Sequence, residues 1–119
     1  MALMRTLDSV FLYEIVRRIV VALEPTRIYL YGSHAYGQPH ADSDVDIFVL
    51  IAHSALPPHK RALEAYRMLC GVRAPIEITV STTEGFERRR QWISSLERVI
   101  NEKGRILYES STEWLEKAS

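Results

Sequence analysis

Two carboxylates one residue apart, Asp44 and Asp46, open the apolar run Val45-Asp46-Ile47-Phe48-Val49-Leu50-Ile51. Upstream, Gly32-Ser33 ends a second apolar run, Ile28-Tyr29-Leu30-Tyr31. Extended chain points residues i and i+2 the same way, which sets Asp44 and Asp46 side by side, roughly 6–7 Å apart along the backbone. Carboxylate oxygens so placed suit hard divalent cations, which sit about 3.5–4 Å apart in two-metal sites. A Gly-Ser turn opening a following helix offers backbone N–H groups, a hydroxyl and positive dipole character to phosphate oxygens. Metal-binding acids beside a phosphate cradle are the equipment of phosphoryl or nucleotidyl transfer.

The elements that must hold these residues follow from the apolar pattern. The spacing predicts a first helix capped by Asp8 or Ser9, with a stripe of Leu12, Ile15, Val16, Ile19 and Leu23, closed by Glu24-Pro25. Residues 27–32 read as a buried strand, 33–37 as a short helix, 38–43 as a polar loop containing Pro39, and 44–51 as a second strand. Pro57-Pro58 suits the first turn of a helix running to Cys70, with Gly71 as its stop. Residues 75–81 alternate strictly, with Glu77 and Thr79 on one face and Ile76, Ile78 and Val80 on the other. Beside residues 44–51, such a strand can project Glu77 toward Asp44 and Asp46. A last helix starts between Thr83 and Trp92, carries Leu96, Val99 and Ile100, and ends at Gly104; Arg105 to Tyr108 forms a short final strand. This order predicts an α/β or α+β sandwich, helices on a small sheet, within one domain of residues 1–119.

The segment Tyr31-Gly32-Ser33-His34-Ala35-Tyr36-Gly37-Gln38-Pro39-His40-Ala41-Asp42-Ser43-Asp44-Val45-Asp46 resembles the signature of the polymerase-beta-like nucleotidyltransferases, in particular the minimal nucleotidyltransferases of bacteria and archaea. In that family a Gly-Ser pair, a second Gly four residues after the Ser, and a Ser-Asp-x-Asp follow in this order. The chain's length and its ending, Glu102 to Glu109, look like that group too, so the resemblance spans nearly the whole chain. It implies a small mixed β-sheet flanked by helices. It also implies a third acid on the strand at 75–81, here Glu77, where the family usually has Asp.

The implied reaction is attack of an acceptor hydroxyl on the α-phosphate of a nucleoside triphosphate, ATP above all, with release of pyrophosphate. By resemblance, Asp44, Asp46 and Glu77 are the catalytic and metal-binding acids for two Mg²⁺ ions. Gly32, Ser33, His34, Gly37 and Ser43 are the candidate nucleotide contacts. Many relatives carry Arg just after the Gly-Ser pair or near position 36, whereas this chain has His34 and Tyr36. Relatives of this size commonly pair with a small all-helical HEPN protein and act as antitoxin by adding AMP to a tyrosine of that toxic ribonuclease. A rival reading is an antitoxin or regulatory subunit that binds nucleotide and neutralises its partner by complex formation; Glu77 and the absent Arg favour it. A third is transfer to a small molecule of the aminoglycoside type, in the shared cleft of a homo-oligomer.

Each residue also has a plainer use. Gly32-Ser33 can be a simple strand-ending turn, Asp42, Ser43 and Asp44 can cap a turn, and Glu77 can sit on a solvated strand face. Asp46 is harder to dismiss, because a carboxylate inside Val45–Ile51 is costly unless paired or metal-bound. His34, His40, His53 and His59 lack the pairing of a helical zinc site, and the last three are expected at the surface. Arg88-Arg89-Arg90 reads as a solvated helix face or part of a docking surface for an acidic partner. Trp92, Trp114 and Cys70 are expected to be packing residues.

Composition sets the bounds. Hydrophobic residues make up 47% and charged ones 25% of 119 residues, as in ordinary globular domains. Fifteen basic residues balance fifteen acidic ones, which argues against a nucleic-acid binder gripping the phosphate backbone. A single cysteine excludes an internal disulfide and a cysteine metal site. No run reaches the length of a membrane span and the start shows no signal peptide, so the expected location is cytoplasmic.

Overall fold

The computed structural model describes residues 9–32, 35, 44–72 and 74–110. Helix α1, Ser9–Leu23, leads into strand β1, Arg27–Tyr31, and strand β2, Val45–Ile51. A single 3₁₀ turn at Pro58–Lys60 precedes helix α2, Leu63–Met68. Strand β3, Ile76–Thr82, is followed by helix α3, Thr83–Arg89, helix α4, Leu96–Lys103, and strand β4, Arg105–Glu109. The sheet order is β3-β2-β1-β4. Strand β1 runs antiparallel to both β2 and β4, while β2 and β3 are parallel. The sheet is therefore mixed, as the resemblance implied.

Alternation along the strands splits the core into two layers. One face carries Ile28, Leu30, Val45, Ile47, Val49, Ile78 and Val80, against Ile15 and Ile19 of α1 and Ala65 and Leu69 near α2. The other carries Tyr29, Phe48 and Leu50 against Phe86 of α3 and Ile100 of α4. There the Tyr29 and Phe86 rings stack at 6.2 Å, and Phe48 lies 5.8 Å from Phe86. Both faces of β2 are covered, which is why its sequence is apolar at every position but Asp46. Fully burying each such Ile or Phe is worth roughly 1.5–3 kcal/mol, so this strand anchors the sheet.

Helix α1 ends as expected: Glu24 adopts a left-handed conformation (φ 47°), its N–H bonds the Val20 carbonyl at 2.9 Å, and Pro25 follows. Gly71, at φ 94°, likewise follows the segment after α2. Three expectations are corrected. The helix expected from 58 to 70 is a 3₁₀ turn and a short α-helix, because Arg61 and Ala62 turn between them. The single last helix is two, α3 and α4. Ser95 explains the break: it lies in extended backbone, accepts the Arg98 N–H at 3.1 Å and donates to the Arg89 carbonyl at 2.5 Å. One hydroxyl thus serves the end of α3 and the start of α4, which stabilises the break over a continuous helix. Finally, Cys70 is exposed and Trp92 is 55% exposed, Trp92 because the break places it on the connecting turn rather than on a core-facing stripe. Trp114 and His40 lie outside the described residues, whereas His53 and His59 are at the surface, as expected.

Candidate active site

Asp46 lies one residue inside β2 and is flanked on both sides. Its register partner on β1 is Tyr31, and its partner on β3 is Glu77. Paired residues in a sheet share a face, so Tyr31, Asp46 and Glu77 form a row across three strands. This row lies at the edge of the face that holds Tyr29 and Phe48. Val45 fixes the register by donating its N–H to the Pro75 carbonyl at 2.8 Å, just where β2 and β3 begin to pair. Glu77 is exposed, Asp46 and Tyr31 are half-buried, and Asp44 is exposed one residue before the strand.

Gly32 follows Tyr31 directly, at φ 79°. A Cβ on that residue would collide with the Asp46 Oδ2 and lie 3.2 Å from its Cγ. The Asp46 carboxylate therefore rests against the Cα of Gly32, in space that only glycine leaves open. Two separate demands meet here, a left-handed backbone and a bare Cα. The Ala35 N–H donates to the Gly32 carbonyl at 3.0 Å. Sequence motif and tertiary contact thus converge: the glycine of Gly32-Ser33 and the second aspartate of Asp44-Val45-Asp46 touch.

Of the residues expected at the site, the fold gathers Gly32, Asp46 and Glu77, with Asp44 two positions from Asp46 at the start of β2. Ser33, His34, Gly37 and Ser43 lie outside the described residues. Among the described residues no three His, Cys, Asp or Glu side chains converge tightly enough to hold a metal ion. The donor set nonetheless fits a hard cation, because Asp44, Asp46 and Glu77 offer only carboxylate oxygens and Asp46 and Glu77 are lateral neighbours. Tyr31 is the neighbour that motif reading passed over. Strand pairing puts it beside Asp46, and only its position just before Gly32 hinted at that.

Arg89, expected on a solvated face, turns inward instead. Its Nε donates to Glu97 Oε2 at 2.9 Å and its Nη2 to Ser81 Oγ at 3.0 Å, tying α3, α4 and β3 together. Arg90 pairs with Glu87 at 2.8 Å, while Arg88 is exposed.

No curated protein sequence matches the chain. Among solved structures, a toxin–antitoxin crystallised with AMP-PNP is similar at TM-score 0.60 and 20% identity, over 85% of this chain and 75% of that one. A Sulfolobus solfataricus protein assigned as a nucleotidyltransferase has TM-score 0.58 and 16% identity, over 82% of this chain and 77% of that one. A mutant of the MntA–HpeT toxin–antitoxin has TM-score 0.55 and 20% identity, over 90% and 77% of the respective chains. These likenesses establish a shared fold. The family model of the nucleotidyltransferase domain matches residues 13–108, a span that holds β1, β2, β3 and all but the last residue of β4, together with Gly32, Asp44, Asp46 and Glu77. The chain belongs to the nucleotidyltransferase domain family.

Proposed function

We propose that this protein is a minimal nucleotidyltransferase that moves AMP from ATP to a hydroxyl of a partner protein, and that it acts as an antitoxin on a HEPN-type ribonuclease by modifying a tyrosine. The observation that carries the reading is the seating of the Asp46 carboxylate against Gly32, in register with Glu77. Family membership supports transferase chemistry. The fold shared with a toxin–antitoxin that binds AMP-PNP supports the nucleotide and the protein partner. In the MntA–HpeT mutant the altered residues are two aspartates separated by one position, the spacing of Asp44 and Asp46.

Asp44, Asp46 and Glu77 would hold two Mg²⁺ ions, which when bound supply charge neutralisation to the triphosphate and acidify the acceptor hydroxyl. The acceptor oxygen forms its bond to the α-phosphorus as the bond to the bridging β-phosphate oxygen breaks, and pyrophosphate leaves. Glu77 takes the hydroxyl proton, a role its exposed carboxylate at the rim of the row suits. The N–H groups of Gly32 and Ser33, with the Ser33 hydroxyl, would bind the outgoing phosphates, while His34, Gly37 and Ser43 complete the nucleotide's surroundings. Because Asp46 is buttressed by Gly32, it enters the reaction already oriented.

The test is transfer of label from α-labelled ATP, with Mg²⁺, to proteins of the source cell and to a co-purified helical partner. Asp46→Asn should abolish transfer, and Glu77→Gln should lower it by about a hundredfold or more. A second reading, neutralisation by complex formation alone, is favoured by Glu77 where the family has Asp and by His34 and Tyr36 where many relatives carry Arg. It would be adopted if wild type bound ATP and its partner yet transferred no label, and if Asp46→Asn still neutralised that partner.

A further inference from the structure

At the carboxyl ends of the parallel strands β2 and β3 lies a cavity of about 340 Å³. Ala52 and His53, just after β2, line it together with Thr82, the last residue of β3. Asp46 and Glu77 stand at the opposite ends of the same strands; the run from Asp46 to Ile51 alone spans roughly 17 Å. The cavity is thus separate from the candidate active site.

Its lining is strongly biased in charge. Three arginines, Arg61, Arg88 and Arg89, line it with His53 and a single carboxylate, Glu84. Arg89 is already committed to Glu97 and Ser81, so it shapes the wall while remaining charged. Arg61 is positioned by its Nε, which donates to the Leu56 carbonyl at 3.1 Å; the ends of its guanidinium have no partner among the described residues. Arg88 has no side-chain partner among the described residues and is exposed. Ser54 adds a hydroxyl, held in place where its Oγ accepts the Leu56 N–H at 3.0 Å.

Arg61 and Arg88 make no ion pair among the described residues, and two such cations lining one concave site favour an anion that joins them. Guanidinium groups offer paired donors that match phosphate oxygens. Crevices at the carboxyl ends of parallel strands are also where open α/β sheets take their ligands. The volume falls at the small end of ligand sites, large enough for a phosphorylated metabolite. We propose that this cavity binds the phosphate group of a small phosphorylated molecule, independently of the Asp46 site.

Calorimetric titration without divalent cations tests this, with inorganic pyrophosphate in one arm and ADP in the other. Wild type should bind, and Arg88→Glu should weaken binding by at least about tenfold. Arg61→Gln should act in the same direction, and the binding that Arg88→Glu removes should persist in Asp46→Asn, whether or not the protein transfers nucleotides. Amide shifts confined to residues 52–54 and 82–85 would locate the ligand in the wild type without any substitution. Preference for pyrophosphate would identify a site for the inorganic ion, and preference for ADP a site that also reads the nucleoside. No binding of either ligand at millimolar concentration would overturn the proposal. So would binding lost in Asp46→Asn but kept in Arg88→Glu.

Discussion

Gly32 conditions the chemistry of a residue it does not resemble. Its φ of 79° and the Asp46 carboxylate against its Cα leave no room for a side chain. Gly32→Ala therefore faces two penalties, left-handed strain of roughly 1–2 kcal/mol and displacement of Asp46. Shifts of about 1 Å near reacting groups cost on the order of a hundredfold in rate. The expected result is a lowered thermal midpoint with label transfer reduced about a hundredfold, more than partial unfolding at assay temperature could produce. Transfer at the wild-type rate would mean that Asp46 need not sit where this fold holds it. Glu77 poses the complementary question, since an exposed Glu must reach the reaction by its own length rather than by burial.

Among the elements, the join between α3 and α4 concentrates the local stability. Ser95 caps α4 through Arg98 and binds back to the Arg89 carbonyl, while Arg89 itself bridges to Glu97 and Ser81. The Glu97 side chain is only 12% exposed, so this ion pair is shielded from solvent in a way the helix-surface pairs are not. Ser95→Ala removes an acceptor for one helix and a donor to the other. The expected cost is about 1–2 kcal/mol, read as a lower urea midpoint with an unchanged slope. Ser95→Asp should recover part of this, because it restores the cap for Arg98 but cannot donate to Arg89. The first helix, by contrast, ends through backbone geometry at Glu24 and Pro25, and needs no side-chain cap there.

For the whole molecule, acid stability depends in part on one carboxylate. Hydrogen bonds from Arg17 and then Arg18 hold Glu14 on the surface of α1 at a pKa of about 2, below its ordinary 4.5. A carboxylate with a depressed folded pKa stabilises the protein fully above 4.5 and loses that contribution as pH falls from 4.5 toward 2. Thermal midpoints measured across that window should fall less steeply for Glu14→Gln than for wild type. High salt should narrow the difference, since the pair is exposed. If the two curves run parallel, the Glu14 pairing contributes nothing to folding. No helix among the described residues is long and apolar enough to cross a membrane.

The sequence by itself located the first helix and the strands and singled out the acids expected at the site. Local signals sufficed there: 3.6-residue periodicity from Leu12 to Leu23, strict alternation from Ile76 to Val80, and Gly32-Ser33 before Asp44-Val45-Asp46. The mixed sheet was legible only through the family resemblance, because strand order and direction depend on pairings between distant segments. Tertiary structure alone put Glu77 opposite Asp46, seated the Asp46 carboxylate on Gly32 and drew Tyr31 into the same row. It likewise split the last helix at Ser95, turned Arg89 inward and left Cys70 and Trp92 at the surface. Periodicity reports which face a residue prefers within its own element. Which neighbour waits on that face is set by register and packing, and those are decided by the whole chain at once.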